Sequence, residues 1–345
     1  MTISQALNNA VEKLKQAKIP TPRLDAEILL SHVLKKQREY IYTYPNHKIS
    51  KSLVARYALR VTRRIKGEPI AYITGRKEFY GLDFFVNKNV LVPRPETELM
   101  VDEALRITRN PANALQGGAG AQRITLIDIG AGSGCIIISL IKELTKSKFP
   151  PAIFCGIKFL ATDISKPALT IARKNAKLHK VDKKINPAPL GQSYNKNNVN
   201  DNINNNKKLP QRCGVKFLHG NLLEPIIKNK KFSLLTSNFL LLANLPYLTP
   251  AQIKSSPSIQ REPKLALSAG HDGLKYYREL FKQIKKLNAL RVTRYALCEI
   301  DPCQTIKIKW LIKREFPHAK IQIKKDLSGL NRLVIINISN SCLSR

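Results

Sequence analysis

Hydrophobic residues recur at helical spacing through the first 70 positions of the chain. Near the amino terminus, one apolar face is formed by Ala6, Leu7, Ala10, Val11 and Leu14. Segments 24–34 and 52–66 repeat this spacing, with polar side chains at most of the remaining positions. Such a pattern is typical of amphipathic helices that pack through their apolar faces. We therefore predict an N-terminal helical domain over residues 1–70.

The period changes after residue 70, where the apolar runs become short, aromatic and β-branched. These runs occupy residues 71–74, 78–80, 82–86 and 90–92. Turn-forming residues separate them, with a glycine at 75 and asparagines at 87 and 89. The pattern predicts short strands in a β-hairpin connector over residues 71–95. A helix is expected to begin near Pro95, because Glu96 and Glu98 place negative charge in its first turn.

Beyond Arg123, predicted strands and helices alternate. An apolar strand at 124–129 leads through a glycine turn into a helix from about Cys135, and a strand at 159–162 leads into a helix at 166–179. Later strands are predicted at 215–218, 239–243, 295–299, 320–323 and 333–338. This alternation predicts an α/β fold over residues 96–345, a doubly wound, Rossmann-like sheet that is mostly parallel. The last two strands are expected to form an antiparallel edge.

One segment does not fit a compact core. Residues 183–212 are polar and rich in lysine, and eight asparagines fall between positions 195 and 206. A segment with so few apolar residues cannot bury enough surface to offset its ordering entropy. We predict a disordered surface insertion here.

The composition adds a strong positive charge. The 345 residues include 59 Lys and Arg against 24 Asp and Glu, a formal net charge of +35, and 43% of residues are hydrophobic. That hydrophobic fraction is typical of a folded chain. The charge suits an anionic partner, for which the arginine-bearing side of segment 52–66 is the candidate surface, or it reflects compositional bias alone.

Several protein classes are disfavoured by simple counts. The longest apolar runs are too short to span a bilayer, so no membrane segment is expected. The six cysteines show no CxxC spacing and the six histidines form no HExxH motif. We therefore expect no metal site and reduced thiols, as in a cytoplasmic protein.

The first candidate binding motif is the glycine turn after strand 124–129. It consists of Gly130, Ala131, Gly132, Ser133 and Gly134. Glycines at a strand-to-helix turn let backbone N–H groups approach a ligand, which suits a dinucleotide, a nucleoside, or a tight turn without ligand. Asp163 ends the next strand, where its carboxylate can accept hydrogen bonds from ribose hydroxyls. Together, the two features favour a nucleoside.

The second candidate motif follows the apolar strand 239–243. It reads Asn244, Leu245, Pro246 and Tyr247. An asparagine is poorly placed for core packing at the end of a buried strand, and its amide both donates and accepts hydrogen bonds. Pro246 restricts Leu245 to extended backbone, and Tyr247 offers a flat face. The motif predicts a clamp for a planar NH2 group, held by the Asn244 side-chain oxygen and the Leu245 carbonyl.

The set of motifs resembles the class I S-adenosylmethionine-dependent amino-methyltransferases, and more narrowly the bacterial release factor glutamine methyltransferases (PrmC/HemK). The matching segments run through nearly the whole chain in the family's order. They are 22–27, Thr74-Gly75, 78–81, 92–98, 130–134, 244–247, 262–263, 266–267, 270–274 and 326–329. The connector segment Val92-Pro93-Arg94-Pro95-Glu96-Thr97-Glu98 is the most specific of them.

The resemblance implies S-adenosyl-L-methionine as cofactor and the glutamine of the Gly-Gly-Gln motif in class I peptide chain release factors as substrate. It implies that the cofactor is bound by the glycine turn, Asp163, Asn221, Leu222 and Asn244, and that residues 244–247 are catalytic. The helical domain would recognise the release factor, free or ribosome-associated. Arg94 and Tyr80 are expected to brace the connector, and Glu262 and Pro263 to border the substrate entrance.

The chain departs from the family pattern in four places. Leu245 replaces the first proline of Asn-Pro-Pro-Tyr, Ala131 replaces a threonine, and Asn221 replaces an acidic residue that contacts the adenine amino group. The segment before the clamp, 232–242, is also longer than usual, which makes Asn238 a weaker competitor for the catalytic asparagine. Alternatives are a ribosomal-protein glutamine methyltransferase, a DNA or RNA amino-methyltransferase, and a non-catalytic nucleoside-binding module.

Overall fold

The amino-terminal helices form a unit with its own apolar core. They are α1 (Ile3–Gln16), α2 (Pro22–Leu34), α3 (Arg38–Thr43), α4 (Lys51–Ile65) and α5 (Ile70–Thr74). Thr2 caps α1 in a reciprocal capping box with Gln5, and Ser50 caps α4. The apolar faces predicted from the sequence meet in this core, where Leu14, Leu29 and Leu30 are fully buried. The computed structural model describes residues 1–109, 124–146, 157–182, 214–229, 238–288 and 293–338.

The connector differs from its prediction at both ends. Residues 71–74 were predicted as a strand, which is wrong: they lie in α5, which Pro69 precedes and Gly75 ends with a left-handed φ of 74°. Residues 90–92 were also predicted as a strand, but they pair with no strand among the described residues. Two of their backbone amides form hydrogen bonds outside a sheet: the Val90 amide donates to the Asn87 carbonyl, and the Val92 amide donates to the Glu262 carboxylate. The hairpin itself is confirmed as β1 (Arg76–Phe79) and β2 (Leu82–Phe85).

A seven-stranded sheet forms the rest of the described fold. Its strands are β3 (Ile124–Ile129), β4 (Lys158–Asp163), β5 (Val215–His219), β6 (Asn238–Ala243), β7 (Thr293–Glu299), β8 (Lys320–Lys325) and β9 (Asn331–Asn337). Their spatial order is β5-β4-β3-β6-β7-β9-β8. Neighbours are parallel except that β9 runs antiparallel to β7 and β8. The predicted doubly wound α/β fold and its antiparallel edge are confirmed.

Helices cover both faces of the sheet. They are α6 (Glu98–Arg109), α7 (Cys135–Lys146), α8 (Lys166–Leu178), α9 (Glu224–Ile227), α10 (Pro250–Ser255), α11 (Lys275–Asn288) and α12 (Thr305–Glu315). α6 and α7 contribute to the core on one face, whereas α11 and α12 contribute to the core on the other. The predicted insertion, 183–212, lies outside the described residues, and the division into three domains remains a prediction.

The strand order places the candidate motifs at one edge of the sheet. β3 lies between β4 and β6, so the chain reverses its direction of strand addition between β3 and β6. In sheets of this kind, ligands bind at the carboxyl ends of the strands on either side of that reversal. The glycine turn follows β3 and Asn244 follows β6. Asn238 pairs with Ile124 at the opposite end of the strand, away from this edge.

Candidate active site

One cleft at the carboxyl edge of the sheet collects most of the predicted site residues. Ten of the twelve line it: Gly130, Ala131, Gly132, Ser133, Asp163, Asn221, Leu222, Asn244, Leu245 and Pro246. Gly134 and Tyr247 do not. The remaining lining residues are 89–94, 97, 135, 136, 164, 165, 168, 263, 265, 266 and 276. Segments far apart in sequence therefore form one site.

The glycine turn is held against the end of β4. The backbone amides of Gly130 and Ala131 each lie 2.9 Å from the Thr162 carbonyl oxygen, to which both donate. Gly130 has a φ of 75°, and a Cβ there would lie 3.2 Å from the Leu245 side chain. A larger residue would be strained and crowded against the second motif. The turn and the clamp are therefore packed directly together.

Asp163 is fixed by two backbone donors. Its Oδ2 accepts from the Gly132 amide at 2.8 Å and its Oδ1 from the Ser165 amide at 2.7 Å. Burial raises the pKa of this carboxyl, and the two backbone hydrogen bonds oppose that rise. Each carboxylate oxygen has a second lone pair. The side chain is thus preorganised to accept hydrogen bonds from a ligand in the cleft.

Asn221 lies in the loop after β5, and α11 holds that loop in place. The Asn221 Nδ2 donates to the carboxylate of Glu279, and the Leu223 amide donates to Gln283 Oε1 at 2.7 Å. Both acceptors belong to α11. Because Nδ2 is used in this way, the amide is oriented with its oxygen as the free acceptor.

Two residues of the clamp motif that line the cleft, Asn244 and Leu245, each carry an acceptor oxygen. The Asn244 Nδ2 donates to Thr97 Oγ1 at 3.0 Å. Within the described part of the chain, neither the Asn244 Oδ1 nor the Leu245 carbonyl oxygen accepts a hydrogen bond. The Leu245 side chain is buried against Gly130. The substitution of leucine for proline therefore leaves a packed segment with its carbonyl available.

Tyr247 lies behind the clamp. Its hydroxyl donates to Glu299 Oε1 at 3.3 Å, and its carbonyl accepts from Gln304 Nε2 at 2.8 Å. Gly273, with a φ of 73°, packs on this carbonyl so closely that a Cβ would overlap it. These contacts tie residues 244–247 to the segments after β7 and before α11.

The connector is tied to the opposite wall by Glu262. This buried carboxylate pairs with the Arg94 guanidinium at 2.5 Å and accepts from the Val92 amide at 3.0 Å. Tyr80 donates to Asp102 of α6 at 2.6 Å. The structure therefore places Arg94 and Tyr80 in the bracing contacts expected of them, with Pro263 on the wall of the cleft.

The residues of the cleft fit S-adenosylmethionine. Asp163 offers oxygen acceptors suited to ribose hydroxyls, and the Asn221 oxygen offers an acceptor suited to the adenine amino group. The glycine turn opens a helix N-terminus, where negative ligand groups are favoured. Among the described residues, there is no cluster of three or more His, Cys, Asp or Glu that suits a metal ion. The helices of that same portion are all too short or too polar to cross a membrane.

Three residues of the site escaped the sequence analysis as individual candidates. Thr97 was part of a matching segment without an assigned role, whereas Glu299 and Glu279 were not singled out. Glu299 carried a usable signal, because it ends a buried apolar strand as Asp163 does. For Glu279, the sequence offers no signal of a role in the site beyond its position on an amphipathic helix.

Comparison with known proteins identifies relatives along the whole chain. Residues 5–75 match the model of the PrmC N-terminal domain. The release factor glutamine methyltransferases of Koribacter versatilis and Coxiella burnetii are 31% and 30% identical, each over 97% of this chain and 98% of their own length. The bifunctional methyltransferase of Rickettsia typhi is 32% identical over 98% of this chain, which spans 58% of that longer protein.

Solved structures of similar architecture are more distant. The human METTL16 catalytic domain in complex with an RNA hairpin is 13% identical, with a TM-score of 0.48, over 83% of this chain and 81% of the other. The N-terminal domain of human METTL16 with SAH is 14% identical, with a TM-score of 0.43, over 86% and 85%. Family membership is decided by the full-length relatives above. Because it is 30–31% identical to them over nearly the full length of both chains, this chain belongs to the release factor glutamine methyltransferases, enzymes that use S-adenosylmethionine.

Proposed function

We propose that this protein transfers a methyl group from S-adenosylmethionine to the side-chain amide nitrogen (N5) of the glutamine in the Gly-Gly-Gln motif of class I peptide chain release factors, in the cytoplasm. The observation that carries the proposal is the pair of free acceptors, Asn244 Oδ1 and the Leu245 carbonyl, beside the glycine turn. A primary amide presents two N–H donors in one plane. Two acceptors at adjacent residues match that requirement.

The clamp addresses a chemical difficulty of the substrate. An amide nitrogen delocalises its lone pair and is a poor nucleophile, so its orientation in the site matters. When bound, S-adenosylmethionine supplies an electrophilic methyl group on a positively charged sulfur. Asn244 and the Leu245 carbonyl hold the two N–H groups and direct the nitrogen into the cleft. Orientation and fixed dipoles of this kind contribute several kcal/mol to a reaction of two bound groups.

The acceptors are neutral, and this limits their role. A side-chain amide and a backbone carbonyl do not remove a proton at neutral pH. The clamp therefore positions the nitrogen without acting as a general base, and the nitrogen loses its proton to solvent after the methyl group has been transferred. Asp163 and Asn221 hold the nucleoside part of the cofactor on the other side of the glycine turn.

We assign recognition of the release factor to the amino-terminal helices. They form a separate apolar core, and the segment that matches the PrmC N-terminal domain covers them. Two arginines of α4 already form ion pairs within this unit, since Arg64 pairs with Asp25 and Arg63 with Glu68. Arg56, which is exposed on α4, is the charge that we assign to an acidic surface of the factor.

The proposal is tested with the protein, a labelled methyl donor and four acceptors. These are a release factor, its Gly-Gly-Gln variant with alanine for glutamine, intact ribosomes and duplex DNA. We expect label in the release factor and none in its alanine variant. Label in ribosomal proteins or DNA without label in the release factor would refute the assignment in favour of the corresponding alternative.

A single substitution tests the clamp itself. Asn244→Ala removes the side-chain acceptor and should abolish transfer, while calorimetric binding of S-adenosylmethionine stays measurable. Thr108→Val is a suitable control, because this buried hydroxyl donates to the Ala104 carbonyl within α6 and has no other partner in the described part of the chain. Near-normal turnover of the Asn244 variant would contradict the proposed mechanism.

A further inference from the structure

A buried polar network lies directly behind the clamp. The Asn244 Nδ2 is 3.0 Å from Thr97 Oγ1, and Thr97 is only 3% exposed. Thr97 ends the short 3-10 turn Pro95–Thr97 of the connector, whereas Asn244 follows β6. The connector therefore contributes a side chain to the rear of the catalytic motif as well as to the wall of the cleft.

Glu299 stands next to this contact. It ends β7, the strand paired with β6, and is 2% exposed. Its Oε1 accepts from the Tyr247 hydroxyl at 3.3 Å, and its Oε2 has no hydrogen-bond partner in the described residues. Burial raises the pKa of this carboxyl to about 7, whereas the adjacent Thr97 hydroxyl, Arg332 and Tyr247 lower the pKa and Glu96 raises it.

A carboxylate in this place is costly for the fold. Burial of an ionised group without a close ion pair strongly destabilises a protein. The nearby cation, Arg332, is already engaged with Asp326 and with the Ile300 carbonyl. An acid is therefore retained among hydroxyl groups, where an apolar residue would fill the same volume without this penalty.

The chemistry of the three side chains explains the arrangement. An amide presents an acceptor at one end and a donor at the other, and a hydroxyl can serve in either role. An ionised carboxylate only accepts. When the Thr97 hydroxyl donates a hydrogen bond to Glu299, whose Oε2 has no partner in the described residues, the Thr97 oxygen is left to accept from the Asn244 Nδ2. The Asn244 Oδ1 then points to the substrate.

The opposite arrangement would be unproductive. A Thr97 hydroxyl without an acceptor behind it is free to donate to a rotated Asn244, which would turn the Nδ2 toward the substrate. That NH2 group would face the NH2 group of the glutamine, donor against donor. We propose that Thr97 and Glu299 are positioning residues which set the orientation of the Asn244 amide and thereby the acceptor geometry of the clamp.

This inference rests on the proposed function and predicts a specific pattern of kinetic changes. Thr97→Val keeps the shape and removes the hydroxyl, so kcat should fall by about 10- to 100-fold, the scale at which misplaced reacting groups slow a reaction. The KM for S-adenosylmethionine should change less than threefold, because the cofactor side of the cleft is untouched. Thr97→Ser restores the hydroxyl and should recover most of kcat.

Glu299 should act through Thr97. Glu299→Gln offers an amide that can donate to Thr97, so kcat should fall to a similar extent. Since both residues act on one amide, the double variant Thr97→Val/Glu299→Gln should be no slower than the slower single variant. If the two substitutions caused independent structural defects, their separate fold-losses in kcat would instead multiply in the double variant.

The experiment measures kcat, both KM values and the melting temperature for these variants and for the control Thr108→Val, with the release factor as substrate. Transfer by the wild-type protein establishes the proposed function, and absence of that transfer refutes it. If the wild type is active, any of three results overturns the proposal that Thr97 and Glu299 orient the Asn244 amide. They are an undiminished kcat in Thr97→Val, no recovery of kcat in Thr97→Ser, and multiplicative losses of kcat in the double variant. If Glu299→Gln does not fold, the valine and serine variants at Thr97 still decide the question.

Discussion

Buried carboxylates occur both in the amino-terminal helices and at the carboxyl edge of the sheet, but in opposite surroundings. In α2, Asp25 pairs with Arg64 at 2.6 Å. Glu27, 1% exposed, is held by three donors: Arg23, Arg38 and Tyr42. Burial acts to raise the pKa of Glu27, but these hydrogen bonds outweigh it and the pKa lies below its usual value. These carboxylates join helices.

The strand-end carboxylates lack such partners. Asp128 is completely buried near the end of β3, and neither of its oxygens accepts a hydrogen bond of good geometry from the described residues. Burial raises its pKa to about 7, and the Ile137 backbone amide offsets only part of that rise. The pKa of Asp163 is raised as well, again by burial.

The contrast separates two uses of buried charge. A carboxylate surrounded by arginines stabilises the native fold and should be replaceable only at a cost in stability. A carboxylate buried without a cation destabilises the fold, and such groups concentrate at functional sites. The helical unit shows the first use and the sheet edge the second. The following substitutions test whether this separation holds.

The largest effect is expected for Asp128. A folded-state pKa near 7 means that the native protein holds a proton which the unfolded chain has released, so stability should fall as pH rises from about 4 to about 7. The difference corresponds to at most ~4 kcal/mol. Asp128→Asn should remove this slope and raise the free energy of unfolding at pH 8, as measured by urea denaturation. Asp83→Asn, at an exposed position, serves as control.

A substitution at Glu27 should show the opposite dependence of stability on pH. The lowered pKa of Glu27 means that its contribution is present at neutral pH and is lost as pH falls through the folded-state pKa. Glu27→Gln should therefore lower the free energy of unfolding at pH 7 by about 2 kcal/mol, less than a fully buried pair, because Arg23 and Arg38 are about half exposed. Binding of S-adenosylmethionine should be unchanged.

The exposed pair of Glu12 and Lys15 provides the control for that experiment. Both side chains are more than half exposed, so Glu12→Gln should change stability by less than about 0.5 kcal/mol. A Glu27 variant as stable as the wild type at pH 7 would show that the arginine contacts do not stabilise the helices. The paired carboxylates of the helices would then not stabilise the fold, and they would not differ in this respect from the carboxylates at the strand ends.

For Asp163, the effect should appear in binding rather than in stability. Asp163→Asn keeps an acceptor oxygen for only one of the Gly132 and Ser165 amides, and it loses the charge and one acceptor offered to the ligand. We expect calorimetry to show about 10- to 50-fold weaker binding of S-adenosylmethionine, roughly 1.4 to 2.3 kcal/mol. Asp25→Asn should show the reverse pattern, with unchanged binding and reduced stability.

Much of this architecture was predictable because its signals are local. The strand from Ile124 to Ile129 was predicted with its observed bounds and the helix was predicted from about Cys135, where it begins, since a largely apolar run and a glycine turn mark them. Polar residues that end buried strands pointed to Asp163 and Asn244. The same signal at Asp128 and Glu299 was not used, although both also lie at or next to strand ends.

What escaped prediction depends on contacts between distant segments. Asn244 and Thr97 are 147 positions apart, and Asn221 and Glu279 are 58 apart, so no local pattern links them. The incorrect strand at 71–74 has a different cause. A four-residue apolar run fits either structure, and the flanking Pro69 and left-handed Gly75 decided for one helical turn.

The smallest predicted effect concerns Asn221, the amide that we propose as an acceptor for the adenine amino group in place of an acid. Because its Nδ2 donates to the Glu279 carboxylate, Asn221→Asp would bring two carboxylates together and convert this position into another unpaired acid at the sheet edge. We expect about threefold weaker binding of S-adenosylmethionine, near 0.7 kcal/mol. The double variant Asn221→Asp/Glu279→Gln exchanges acid and amide and should recover the affinity. Tighter binding of S-adenosylmethionine by Asn221→Asp alone would show that Glu279 does not orient the Asn221 side chain. Asn221 would then not be a preoriented acceptor for the ligand at the sheet edge.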